Sequence, residues 1–155
     1  MIAIIAAGAL AAAPASPAAA SDATLKAEIE SVLVDLRPAL TEFQDAADGL
    51  EQAKDTSRLQ TATQGLRTGL SRYKWGVINR KTSSRSGATA KKLLLTGIRE
   101  FDIGLVEYEN GLEKLDAGAK KASVLSSLRT ANRRFLVAAR REQKALDALG
   151  VVQPG

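Results

Sequence analysis

Leu94, Ile98, Phe101, Leu105, Tyr108, Leu112 and Leu115 follow one another in alternating steps of four and three. That alternation places all seven on one face of an α-helix and none of it suits a strand, whose faces alternate every second residue. A helix with a single apolar stripe does not hold itself together in water; other elements must cover the stripe. This segment therefore commits the chain to helices packed on helices.

Three further segments repeat the pattern. The first uses Leu25, Ile29, Val32, Leu36, Leu40, Phe43, Ala47 and Leu50. The second uses Leu59, Thr63 (or Ala62), Leu66, Leu70, Tyr73 and Val77, and the fourth uses Leu125, Leu128, Phe135, Ala139, Leu146 and Leu149, with Gly150 as the stop. Breaks are expected at 53–56, 81–87 and 117–122. Ser21 or Asp22 is the expected first N-cap, and Pro38 is expected to kink or briefly break the first helix near 35–37. Short connections make the first pair and the second pair each an antiparallel hairpin. The predicted fold is all-α: an antiparallel up-down four-helix bundle built from two helical hairpins, in one domain over residues 21–155.

Two repeats accompany the stripes. With an offset of 62, Asp48-Gly49-Leu50-Glu51 matches Asn110-Gly111-Leu112-Glu113, Leu66-Arg67-Thr68 matches Leu128-Arg129-Thr130, and Tyr73 matches Phe135. Such an offset is no whole number of heptads, so duplication of a hairpin is one reading and chance similarity the other. Gly97, Gly104, Gly111 and Gly118 recur every seven residues along one edge of the third segment. Each glycine inside a helix costs about 1 kcal/mol relative to alanine. Four in register imply that another helix backbone comes close at that edge.

Residues 1–20 carry no charge and read as the apolar and cleavage regions of a secretory signal, with scission expected after Ala20 or, as second choice, after Ala15. The apolar run of about thirteen residues is too short to span a bilayer, which takes about twenty. No base precedes it, so an Ala-rich helix retained in the fold is the competing reading. The expected location is secreted or extracytoplasmic, in the cell envelope.

The chain has no Cys and no His. Disulfide scaffolds, zinc fingers, His-ligated haem and Ser-His-Asp or Cys-His catalysis are thereby excluded. Ser71-Arg72-Tyr73-Lys74 has the SxxK spacing of penicillin-recognising serine enzymes, but it lies within a predicted helix and no SDN element follows. Glu107, Glu109 and Glu113 read as a solvated acidic face. No enzyme, cofactor or metal is expected.

Charge is strongly segregated within a net +5. Residues 21–55 hold nine acids and three bases, residues 56–99 ten bases and no acid, residues 100–118 six acids and one base, and residues 119–155 eight bases and two acids. Opposite signs on neighbouring helices favour the intended pairing. The bases around the central connection exceed that need. Arg72, Lys74, Arg80, Lys81, Arg85, Lys91 and Lys92 crowd there with no acid nearby in sequence, and with Trp75 alongside. Trp75 is expected to flank the core, with a partly exposed anchor as the alternative. The predicted function is an exported binding module for an unknown protein or an anionic envelope polymer. A membrane surface is the rival partner, and nucleic acid a weak third.

Overall fold

A computed structural model describes the chain over residues 17–53 and 56–150, with side chains described from 22 to 48 and from 56 to 150. It is all-helical, with four helices and no strand among the described residues: α1 (Pro17–Ala53), α2 (Ser57–Asn79), α3 (Arg85–Asp116) and α4 (Lys121–Ala148). The connections fall where the sequence breaks predict them.

α1 starts earlier than expected. Its described part begins at Pro17, ahead of the expected cap at Ser21 or Asp22. Residues 1–16 of the expected signal lie outside the described residues. Cleavage at either expected site would leave Leu25, the first buried residue among the described side chains of α1, in place. Pro38 does not break the helix. Pro38 and Val34, whose carbonyl loses its amide partner, both lie on the exposed side, Val34 being 61% exposed, so water can satisfy the freed acceptor.

All four helices feed one core, formed by Leu25, Ile29 and Leu36 of α1, Leu66, Leu70, Tyr73 and Val77 of α2, Ala90, Leu94, Ile98 and Leu105 of α3, and Ala145 and Leu146 of α4. Each fully buried leucine contributes about 1.5–3 kcal/mol relative to an exposed one. A smaller cluster gathers Ala46, Leu59, Ala62 and Leu112. Aromatic rings join the two: Phe43 stands edge-on to Tyr108 at 5.2 Å, and Phe135 lies 4.9 Å from Phe101. Thr63 is fully buried, but its hydroxyl donates to the Leu59 carbonyl at 2.7 Å, so that layer is satisfied and not a weak point.

Among the described residues, the α3–α4 interface is the most extensive. Ala90, Gly97, Gly104 and Gly111 of α3 are buried, as are Val124, Ala131, Ala138 and Ala145 of α4. Both rows recur every seven residues; Gly97 faces the Ala138 backbone, while Gly104 and Gly111 receive the Phe135 and Leu128 side chains of α4. A β-carbon on Gly97 would stand 3.3 Å from the Ala138 carbonyl oxygen, and one on Gly111 would stand 2.8 Å from Leu128 Cδ2. Gly118 has a different role. Its φ of 67° lets it end α3, its amide bonding Leu115 O at 3.0 Å while Ala119 N reaches Lys114 O at 2.9 Å.

The close seam turns α4 away from its expected register. Ala139 and Leu125 are exposed instead of core, because the buried row of α4 runs through Val124, Ala131, Ala138 and Ala145. Leu115, at the last turn of α3, is likewise exposed.

Ion pairs link neighbouring helices, as the segregated charge predicts. Arg58 Nε donates to Glu42 at 2.9 Å, Arg67 reaches Asp102 and Glu109 at 3.4 and 3.1 Å, and Arg134 reaches Glu100 at 2.6 Å. The hydrogen bond with Arg58, and then its charge, lowers the Glu42 carboxyl below its ordinary value.

Candidate functional site

The connection between α2 and α3 is shaped by α1. Asp22 accepts a hydrogen bond from the Ser84 hydroxyl, and Ser84 caps α3 by accepting from the Gly87 amide at 2.8 Å. Gly87 leaves the space that the Asp22 carboxylate fills. The expected N-cap of the first helix therefore acts at the N-terminus of another, where negative charge suits the helix dipole.

Two of the sequence-predicted binding residues are occupied by the fold. Arg80 bonds Glu28 of α1, its Nε at 2.9 Å. Lys91 is half-buried and donates to the carbonyls of Ile78 and Arg80 at 2.7 and 2.6 Å, capping the C-terminal end of α2. The expectation that no acid answers this connection is thus corrected: Asp22 and Glu28 do so from 62 and 52 residues away in sequence.

The remaining predicted residues are exposed. Lys74, Lys81, Arg85 and Lys92 make no ion pair among the described residues. Arg72 is also exposed, but it lines a groove of about 360 Å³ between α1 and α2 with Val32, Asp35, Leu36 and Gly69, and so lies toward an acid of α1. A second groove of about 320 Å³ between the same helices is lined by Ala39, Glu42, Arg58, Thr61, Ala62 and Gly65.

Trp75 is not a core residue. It is 62% exposed, because the buried row of α2 runs through Leu66, Leu70, Tyr73 and Val77 and places position 75 on the opposite side. Ile78, one turn on, is exposed beside it. Arg99 belongs with this set and was not singled out from the sequence. It is exposed and unpaired among the described residues, and it continues the spacing of seven from Arg85 and Lys92 along one face of α3. That heptad of bases was the signal available.

Among the described residues, no group of three or more acidic side chains is placed to hold a metal, and no helix is long and apolar enough to cross a membrane. The chain matches no protein-family model, no curated protein and no solved structure.

Proposed function

We propose that this chain is an exported, non-enzymatic binding module of the cell envelope that engages an anionic polymer or an acidic partner protein through the α2–α3 cluster. One observation carries the reading. Lys74, Lys81, Arg85, Lys92 and Arg99 are exposed and, among the described residues, without an acid partner, on a stretch of 44 residues that contains no acid and also carries the exposed Trp75. Surface ion pairs contribute only about 0–1 kcal/mol, so stability does not require such a concentration of unpaired charge. An exposed indole beside bases offers a flat apolar contact within a field that attracts anions.

The scaffold in this reading is an antiparallel up-down bundle of two hairpins. In its support, Glu42 pairs with Arg58 while the earlier Glu28 pairs with the later Arg80, and Gly97, Gly104 and Gly111 meet progressively earlier residues of α4. The export signal rests on the sequence of residues 1–20. Fractionation with N-terminal sequencing tests it; a cytoplasmic protein retaining Met1 defeats export.

Binding is tested by changing Lys74, Lys81, Arg85, Lys92 and Arg99 to Gln together and, separately, Trp75→Ser. The probes are polyglutamate and polyphosphate at low and moderate salt. The parent is expected to bind, with attraction that falls as screening shortens to about 8 Å at physiological ionic strength. Both variants are expected to lose affinity at unchanged unfolding midpoints. Binding that survives the five-fold replacement sinks the proposal.

A further inference from the structure

Residues 117–141 contain seven bases and no acid. Arg134 and Arg141 turn to Glu100 and serve the α3–α4 interface. Lys120 and Lys121 lie at the start of α4. The rest point elsewhere: Arg129, Arg133 and Arg140, joined by Lys144, are exposed and make no ion pair among the described residues. At 3.6 residues per turn, these four and the exposed Leu125 and Leu136 fall within about a third of the helix circumference. That arc lies opposite the buried row of Val124, Ala131, Ala138 and Ala145. Among the described residues α3 is the one helix whose backbone closely approaches α4, so this arc is a free flank.

Leu136 is the unexplained residue. It is 53% exposed and belongs to neither apolar cluster, yet it sits between Arg133 one turn before and Arg140 one turn after. Asp147 is exposed within the same arc and accepts from Gln143 Nε2 at 2.9 Å, so one acid stands against the four bases and the row stays positive. Glu142 is partly buried on the other side, close enough to Tyr73 for its charge to act on the phenol.

We propose that this face of α4 docks flat on an anionic lipid surface. The two grooves lined by α1 and α2 lie away from this ridge. A convex ridge encloses neither a small anion nor a polymer chain, whereas a plane of lipid phosphates meets it along its whole length. From 129 to 144 that length is about 22 Å at 1.5 Å per residue. Arginine and lysine stems lie along the apolar boundary with their charged ends at the phosphates, while Leu136 and Leu125 enter it. The proposal does not rest on the α2–α3 cluster, which is carried by other helices.

The single tryptophan makes the two faces separable. The parent reports on α2 through Trp75; a full chain with Trp75→Phe and Leu136→Trp reports on α4. Each is mixed with vesicles of phosphatidylglycerol and phosphatidylcholine in equal parts, with phosphatidylcholine vesicles, and with soluble polyphosphate. The indole at 136 is expected to shift to the blue and to be quenched by brominated lipid on the anionic vesicles alone, less so as salt is added. Changing Arg129, Arg133, Arg140 and Lys144 to Gln is expected to lower vesicle affinity about fivefold per charge removed, with helicity and unfolding midpoint unchanged. No response at 136, or an equal response to neutral vesicles, overturns the proposal. A response at Trp75 alone assigns lipid to the α2–α3 cluster and overturns it too, as does polyphosphate binding without any vesicle response. A response at 136 with none at Trp75 upholds it whatever becomes of the α2–α3 reading.

Discussion

Gly104 of α3 lies so close against Phe135 of α4 that a β-carbon at position 104 would stand 2.6 Å from Phe135 Cε1 and 3.2 Å from Arg134 Cβ. The same ring touches Phe101, Phe43 and Tyr108, so it cannot retreat without disturbing the aromatic joint between the two cores. A glycine that weakens α3 as an isolated helix thus makes room for the Phe135 ring.

Gly104→Ala is expected to destabilise the fold by about 1–3 kcal/mol through overpacking, even though alanine improves helix propensity by about 1 kcal/mol. Gly65 provides the contrast. It is exposed within α2 and a β-carbon there meets nothing within 4 Å, so Gly65→Ala is expected to stabilise by about 1 kcal/mol. Denaturant midpoints of the two variants should move in opposite directions. Equal shifts would mean that the seam between α3 and α4 is looser than its geometry.

Glu142 is expected to make stability depend on pH. Burial raises its carboxyl above the ordinary glutamate value, and burial together with the Glu142 charge raises the nearby Tyr73 phenol. The folded state therefore holds the Glu142 proton more tightly than the unfolded chain does. This contribution is fully present below the ordinary glutamate value and is lost as pH rises through the elevated one. Glu142→Gln is expected to add about 1 kcal/mol at neutral pH and little in acid, because a neutral amide removes the cost of the buried charge. Melting curves at both pH values decide it; a gain that is the same at both would place the effect outside ionisation.

Asp22 ties the start of α1 to the start of α3. Its Oδ1 is buried without a partner, so the carboxylate is held there by the Ser84 hydroxyl and the positive helix end. Asp22→Ala is expected to cost about 1 kcal/mol, in the range of a lost N-cap contact. Hydrogen exchange should show faster opening at the first turn of α3, with the α3–α4 seam unaffected. Uniform loosening would mean that Asp22 supports the core as a whole.

The helices were legible because burial of one face imposes a period, and the period was written in Leu94, Ile98, Leu105 and Leu112. The row of α3 glycines likewise announced a close approach. The buried row on α4 was hidden, since Ala131, Ala138 and Ala145 carry too little hydrophobic area to stand out against Leu125. The candidate site was half legible. Charge along the chain located the bases, but hydrogen bonds across 52 and 11 residues decided that Arg80 and Lys91 were already committed. Trp75 was displaced from its expected role by a register difference of two residues from Tyr73, which on a helix is most of the way to the opposite face.

Those committed and uncommitted bases predict a division between stability and binding at the α2–α3 connection. Lys91 makes two charge-assisted hydrogen bonds to the last carbonyls of α2, where a cation also meets the negative end of the helix dipole. Lys91→Met retains the stem and removes the donors, so it is expected to lower stability by about 1 kcal/mol. Arg80 is about half exposed in its pair with Glu28, and Arg80→Gln is expected to cost no more than about 1 kcal/mol after solvent screening. Lys81 has no ion-pair partner among the described residues, and Lys81→Gln is expected to leave the unfolding midpoint where it is. Affinity for polyphosphate is expected to rank the other way: reduced by Lys81→Gln and nearly unchanged by Lys91→Met at a temperature where both are folded. Should Lys91→Met reduce binding more than Lys81→Gln, the capping lysine also contacts the anion. The division between scaffold and site would then fall elsewhere in the connection.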